Sequence, residues 1–207
     1  KIFDDLIERD KFMLEAYDYL SNILYIREEQ QKLAILAQQA YRIDPLRPES
    51  CCVVGNFWSL KQEHTLAIQQ FQKALKLDPD YLSAWVLMGH EYLELRATSS
   101  AIECYRNALM RDKNDYRAWY GLGQTYELLK MNSYALYYYQ KAAHCKLNDS
   151  RMWNALSSIH FQLGDLSNAL ETLRKAYKLE PQDCSIGLKL SKLYLKSSKT
   201  EEAMRVY

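Results

Sequence analysis

Asn22, Asn56, His90, Gln124, Ser158 and Lys192 follow one another at intervals of 34 residues. Two further series keep step with them: Asp18, Cys52, Val86, Tyr120, Asn154 and Leu188, and Tyr25, Ser59, Leu93, Glu127, Phe161 and Leu195. Their types suit the capture of an extended peptide. A carboxamide carries donors and an acceptor, so it can pair with a peptide backbone. Glu91, Glu94 or Glu127 can take a guanidinium through two parallel hydrogen bonds. The apolar members offer pockets for side chains. The same residues also read as solvated positions on a helical face, and their spacing leaves both readings open.

Catalytic chemistry has no comparable support. Gly121, Leu122 and Gly123 are followed by Gln124, Thr125 and Tyr126, so the dinucleotide-binding pattern of three glycines fails. His90 and Glu91 lack the second histidine of a zinc-protease helix. The histidines at 64, 90, 144 and 160 fall at different repeat phases, which argues against a shared metal site. No cofactor, metal or enzymatic activity is expected. The run Tyr137, Tyr138, Tyr139 has the chemistry to stack bases. However, 27 basic against 26 acidic residues leave a net charge of +1, without the basic excess of a nucleic-acid or polybasic membrane surface. No apolar run approaches the roughly 18 residues of a spanning helix. The five cysteines form no CxxC pair, and an odd count makes no disulfide framework. They read as reduced, mostly packing residues of an intracellular protein.

The elements that carry these series are helices. Trp119, Gly123 and Tyr126 are spaced four and three apart, and so are Ala135, Tyr139 and Ala142. Each set is one face of a helix, with a turn expected near Lys130 to Ser133. Thirty-four residues earlier stand Trp85, Gly89, Tyr92, Ala101, Tyr105 and Ala108; Trp153, Leu156, Ala169 and Ala176 continue the pattern. Pro45, Pro79 and Pro181 keep the same period, with Lys113 and Leu147 in the two slots between. Asp115, Asp149 and Asp183 fall just before a first helix, where a carboxylate can accept from free N–H groups and complement the dipole.

A period of 34 with Trp, Gly, Tyr, Ala, aromatic, Ala and Pro at fixed phase resembles the tetratricopeptide repeat. The expected fold is all-α, a right-handed solenoid of antiparallel helix pairs. The expected divisions are a preceding helix end at 1–13, with Phe3 and Ile7 on its apolar face, repeats at 14–47, 48–81, 82–115, 116–149 and 150–183, and a truncated repeat at 184–207. All are expected to join in one continuous array, itself a piece of a longer one. In such arrays the three series above line the concave surface, which makes Asn22, Asn56, His90, Tyr120, Gln124 and Glu127, with Glu91 and Glu94 beside that line, the candidate groove.

Longer strings narrow the resemblance. SNILY at 21–25, ESCCVVGN at 49–56, LMGHEYLEL at 87–95, DYRAWYGLGQTYELLKM at 115–131, ALYYY at 135–139 and NDSRM at 148–152 resemble the cell-division-cycle-twenty-three family, subunit eight of the anaphase-promoting complex. That resemblance implies a non-catalytic scaffold of a ubiquitin ligase in the nucleus and cytoplasm. It implies contacts with sister subunits, a homodimer made by the full-length chain, and a groove for the activator's C-box, a short Arg-containing segment. It further implies Glu91 as partner of the peptide arginine, with Asn56 and His90 in the matching VGN and GHE strings. The paralogous subunit three, which receives C-terminal Ile-Arg tails, shares GHE and AWYGLG. An unrelated adaptor or the repeat array of a larger enzyme is the remaining alternative.

Overall fold

The 34-residue period becomes a strict alternation of helices. The computed structural model describes residues 10, 12–197 and 199–206, so the helix end expected at 1–13, with Phe3 and Ile7, falls almost wholly outside it. Five full helix pairs follow: α1 (Leu14–Ile26) with α2 (Gln30–Ile43), α3 (Pro48–Leu60) with α4 (His64–Leu77), α5 (Leu82–Glu94) with α6 (Thr98–Arg111), α7 (Tyr116–Leu128) with α8 (Asn132–Cys145), and α9 (Ser150–Gln162) with α10 (Leu166–Leu179). The last pair is α11 (Cys184–Lys196) and the shorter α12 (Thr200–Val206). The first helix of each pair has 13 residues, and the second helix of the five full pairs has 14. Among the described residues there is no strand.

The chain divides into two compact units, Lys1–Asp112 and Lys113–Tyr207. In the first, α3 packs on α4 and α5 on α6 within repeats, and α4 packs on α5 between them. The first helices also meet one another, α1 against α3 and α3 against α5. Leu33, Phe71, Ala67, Ala74, Ala84 and Met88 form the interior. In the second unit, α7 packs on α8 and α9 on α10, with α8 on α9 and α10 on α11 between repeats. Its interior holds Ala135, Tyr139, Met152 and Leu156, then Leu173, Ile186 and Leu190. Cys51, Cys52 and Cys104 are buried as expected, but Cys145 and Cys184 are exposed, so packing accounts for only the first three. Burial pushes the Cys104 thiol up to about 12.

One size relation repeats within the four pairs from α3–α4 to α9–α10. A methyl group added at Gly89 would stand 2.6 Å from the Tyr105 ring, and one at Gly123 2.5 Å from the Tyr139 ring; Gly55 faces Phe71 in the same way. Where the second helix carries Leu173 instead of a ring, the first carries Ser157, whose hydroxyl donates to the Ala169 carbonyl at 2.8 Å. Glycine therefore marks the places where an aromatic ring lies against the backbone of the first helix.

The turns repeat as well. Glu28, Gln62, Arg96 and Lys130 have φ between 56° and 63°, and Gly164 has φ 82° at the next place in the series. Asp115, Asp149 and Asp183 accept from the N–H of Arg117, Arg151 and Ser185 at 2.8, 3.1 and 2.8 Å, which meets the capping expectation. Arg151 and Lys146 beside Asp149 hold its carboxyl down at about 2.

The tryptophans do less interior filling than their spacing suggests. Trp119 is half-buried rather than enclosed. Its indole stacks on Tyr138 with ring centres 5.9 Å apart, and its N–H donates to the Lys113 carbonyl at 2.8 Å. Trp119→Ala is expected to lower stability by about 3 kcal/mol, the low end for removing a large aromatic, since part of the ring stays in water. Urea melts of the two proteins measure it, and coincident midpoints would show that the indole contributes nothing.

Candidate peptide-binding face

In the first unit, the face shared by α1, α3 and α5 is a chain of hydrogen bonds between residues one repeat apart. Asn56, only 1% exposed, donates its amide to the Asn22 Oδ1 at 3.1 Å and to the Ser21 Oγ at 2.9 Å. Asn22 in turn donates to the Asp18 carbonyl at 3.0 Å. The Tyr25 hydroxyl lies 3.2 Å from the Ser59 oxygen, and Ser59 donates to the Glu91 Oε1 at 2.6 Å. The other oxygen of Glu91 lies 2.8 Å from the His64 Nδ1. At 4% exposure, Glu91 is a buried carboxylate with both oxygens engaged. Glu94, one turn along α5, is exposed.

Tyr81, from the start of α5, reaches across to donate to the Asp18 carboxylate at 3.0 Å. Burial, and then the neighbouring Asp18 charge, push its phenol far up, so it remains a donor. Cys52 and Val86, expected to face an open groove, are sealed beneath this layer at 0% and 1% exposure. The first helices meet one another, α1 against α3 and α3 against α5, instead of standing apart around an open groove. His90 belongs to a different environment. Its Nδ1 lies 2.8 Å from the Tyr105 hydroxyl, and the two rings meet edge to face.

In the second unit the corresponding face is more open. Tyr120, Gln124 and Glu127 on α7 are half-buried, as are Asn154 and Ser158 on α9. Tyr120 packs on the Tyr139 ring, and the Tyr139 hydroxyl donates to the Glu127 Oε2 at 2.8 Å. Gln162 donates to the Glu127 Oε1 at 3.1 Å, and Lys189 to the Asn154 Oδ1 at the same distance. These are again bonds between residues one repeat apart.

The expected set thus falls into separate groups. Asn22 joins Asn56, Glu91 joins Ser59 and His64, and Tyr120 joins Glu127 through Tyr139. Sequence reasoning passed over His64, because it keeps no phase with the other histidines. Ser59 stood on the 34-residue line as a lining residue, but nothing in its type marked it as the donor to Glu91. Among the described residues, no group of His, Cys, Asp or Glu has the arrangement to hold a metal ion. No helix among them is long and apolar enough to cross a membrane. In the first unit the Asn56, Ser59 and Glu91 groups are spent on one another, whereas in the second half-buried Gln124, Glu127, Asn154 and Ser158 present amide, carboxylate and hydroxyl groups near the surface.

Family models described as tetratricopeptide repeat match residues 48–81, 86–149 and 150–183. With the helix pairs and the repeating bonds described above, the chain belongs to the tetratricopeptide-repeat family. Within that family it is similar to the anaphase-promoting complex subunit CDC23 of Saccharomyces cerevisiae, 44% identical over 69 residues, 33% of this chain and 11% of that protein. Anaphase-promoting complex subunit 8 of Dictyostelium discoideum is 45% identical over 71 residues, 34% of this chain and 12% of that protein. Cell division cycle protein 27 homolog A of Arabidopsis thaliana is 42% identical over 60 residues, 29% of this chain and 8% of that protein. The matched stretch is thus a small part of each relative's length. A chain in the crystal structure of the APC/C hetero-tetramer Cut9–Hcn1 superposes with a TM-score of 0.86, covering 99% of this chain and 41% of that one. At 20% identity this likeness shows the fold alone.

Proposed function

We propose that the chain is a segment of a non-catalytic scaffold subunit of the anaphase-promoting complex, a ubiquitin ligase of the cell cycle. The observation that carries this reading is the similarity to CDC23 and subunit 8 at 44% and 45% identity. The similarity to the protein 27 homologue is a little lower and runs over a shorter stretch, which favours subunit eight over subunit three. In this reading the flanks of the helix pairs contact sister subunits, the full-length chain forms a homodimer, and the protein works in the nucleus and cytoplasm.

The inner faces hold a short Arg-containing segment of an activator. Amides presented in register suit a peptide backbone, and exposed Glu94 and half-buried Glu127 are the carboxylates within reach of a guanidinium. In the first unit Asn22 and His90 shape the surface beside Glu94, with Asn56 holding Asn22 from beneath; in the second, Tyr120 and Gln124 shape the surface beside Glu127. Glu91 acts from behind, by fixing Ser59 and His64.

Titration of a fluorescent Arg-containing C-box peptide against the full-length chain tests the site. Glu94→Lys is expected to weaken binding about tenfold or more, the loss of one charge-assisted pair, and replacing the peptide's arginine should do the same. Equal affinity for parent and variant would remove Glu94 from the site.

A further inference from the structure

The three consecutive tyrosines of α8 take three different places. Tyr139 lies in the interior, Tyr138 is half-buried, and Tyr137 stands in water at 51% exposure. Tyr138 belongs to a stack of four rings within the second unit. It lies on Trp119 with centres 5.9 Å apart and on Tyr126 at 5.1 Å, and Tyr126 lies on Tyr134 at 5.5 Å. Tyr137 meets Tyr138 edge to face at 5.2 Å. Tyr126 covers one face of the Tyr134 ring, yet Tyr134 is 55% exposed, so the stack ends on a ring open to water.

The repeat itself does not call for these two exposed rings. The same places hold Ser100 and Glu103 one repeat earlier, and Asn168 and Glu171 one repeat later. The charge changes with them. From Leu128 to Asn148 the chain carries no acidic residue. Lys130 stands in the turn before α8, four residues ahead of Tyr134, and Lys141 stands four residues past Tyr137; both are exposed. Lys141 also lies over the Tyr137 ring at 5.6 Å. Among the described residues no carboxylate pairs with either lysine. The acid before this stretch, Glu127, is bonded to Tyr139 and Gln162 on the inner face. On α10, Lys175 and Lys178 repeat the places of Lys141 and His144, and Lys175 holds Glu171, the acid of that helix, at 2.9 Å.

We propose that the exposed face of α8 docks an acidic segment of a partner protein with an aromatic residue among its carboxylates. The ring continues the stack on the open face of Tyr134, since offset stacking is favourable between rings. The carboxylates pair with Lys130 and Lys141. A basic segment would meet two lysines of its own sign. A nucleic acid also brings rings and negative charge, but its backbone wants cations all along its path, and two flank these rings. This inference does not rest on the activator-peptide reading, which concerns the inner faces.

A fluorescently labelled peptide of sequence Asp-Asp-Phe-Asp-Asp, titrated with the full-length chain and followed by anisotropy, tests it. Saturable binding is expected, and added salt should weaken it. Leucine in place of the phenylalanine should weaken binding about threefold or more, and the counterpart Lys-Lys-Phe-Lys-Lys should not saturate. Tyr137→Glu and Lys141→Asn install what the preceding repeat carries at those places, Glu103 and Asn107, so both should fold. Each should weaken binding about fivefold, the scale of one lost ring contact or one lost ion pair. No saturable binding of the acidic peptide, equal binding of its leucine or lysine form, or unchanged affinity in either variant would overturn the proposal. So would tighter binding of a short oligothymidylate that Tyr137→Glu abolishes. The Glu94→Lys titration reads the inner face and this one reads α8, so either reading can fail alone.

Discussion

Gly123→Ala should unfold at a clearly lower urea concentration than the parent, with a loss of about 2 kcal/mol. The new methyl group would stand 2.5 Å from the Tyr139 ring. That ring cannot swing away, because its hydroxyl is bonded to Glu127 and its face is packed on Tyr120. Overpacking of this kind costs about 3 kcal/mol, and the better helix propensity of alanine returns about 1 kcal/mol. Tyr139→Leu alone should also destabilise, since it opens space beside Gly123 and leaves a Glu127 oxygen without its donor. The double variant reproduces the logic of the Ser157–Leu173 pair one repeat later, so it should be more stable than the two single losses imply, by about 1–3 kcal/mol of coupling. Additive losses would show that glycine and ring are not matched to one another.

Glu91→Ala should cost about 3 kcal/mol. The change strips the Ser59 hydroxyl and the His64 ring of their shared acceptor inside a buried layer, and breaking a buried charged network by removing one member is costly. Glu91→Gln keeps one oxygen acceptor for Ser59 and should lose less. This differs from what the resemblance implies for the residue, a direct contact with a peptide arginine that a lysine would block without harm to the fold. At 4% exposure, a lysine at 91 disturbs the helices themselves. Thermal melts of Glu91→Ala and Glu94→Lys separate the roles. The first should fall by several degrees and the second should stay near the parent. A Glu91→Ala protein with the parent's melting temperature would mean that the Ser59–Glu91–His64 bonds contribute nothing to the fold.

The helices were legible because their markers are side chains that pack. Gly89 with Tyr105, Gly123 with Tyr139 and the alanine columns recur at one phase, and each reports a close approach of helix to helix. What stayed hidden depends on backbone atoms or on neighbours from another repeat. The left-handed turn residue is Glu28, Gln62, Arg96 or Lys130 in four of its five described places, and among them only Gly164 shows its conformation in its type. The proline column seemed broken at Lys113 and Leu147. Yet the partner of each tryptophan is the carbonyl there, which every residue type supplies. The inner face was located by period alone, but period does not tell how closely the first helices approach. In the first unit Cys52, Val86, Asn56 and Glu91 are covered, while in the second Tyr120, Gln124 and Asn154 remain partly open. That difference moves the accessible carboxylate from Glu91 to Glu94.

The most direct test of the scaffold reading is affinity purification of the tagged full-length chain from dividing cells at its natural level, with the captured proteins identified by mass. The anaphase-promoting complex subunits are expected together, in amounts near that of the tagged chain. Recovery of the chain without them, or with a different assembly in comparable amount, would contradict the scaffold reading.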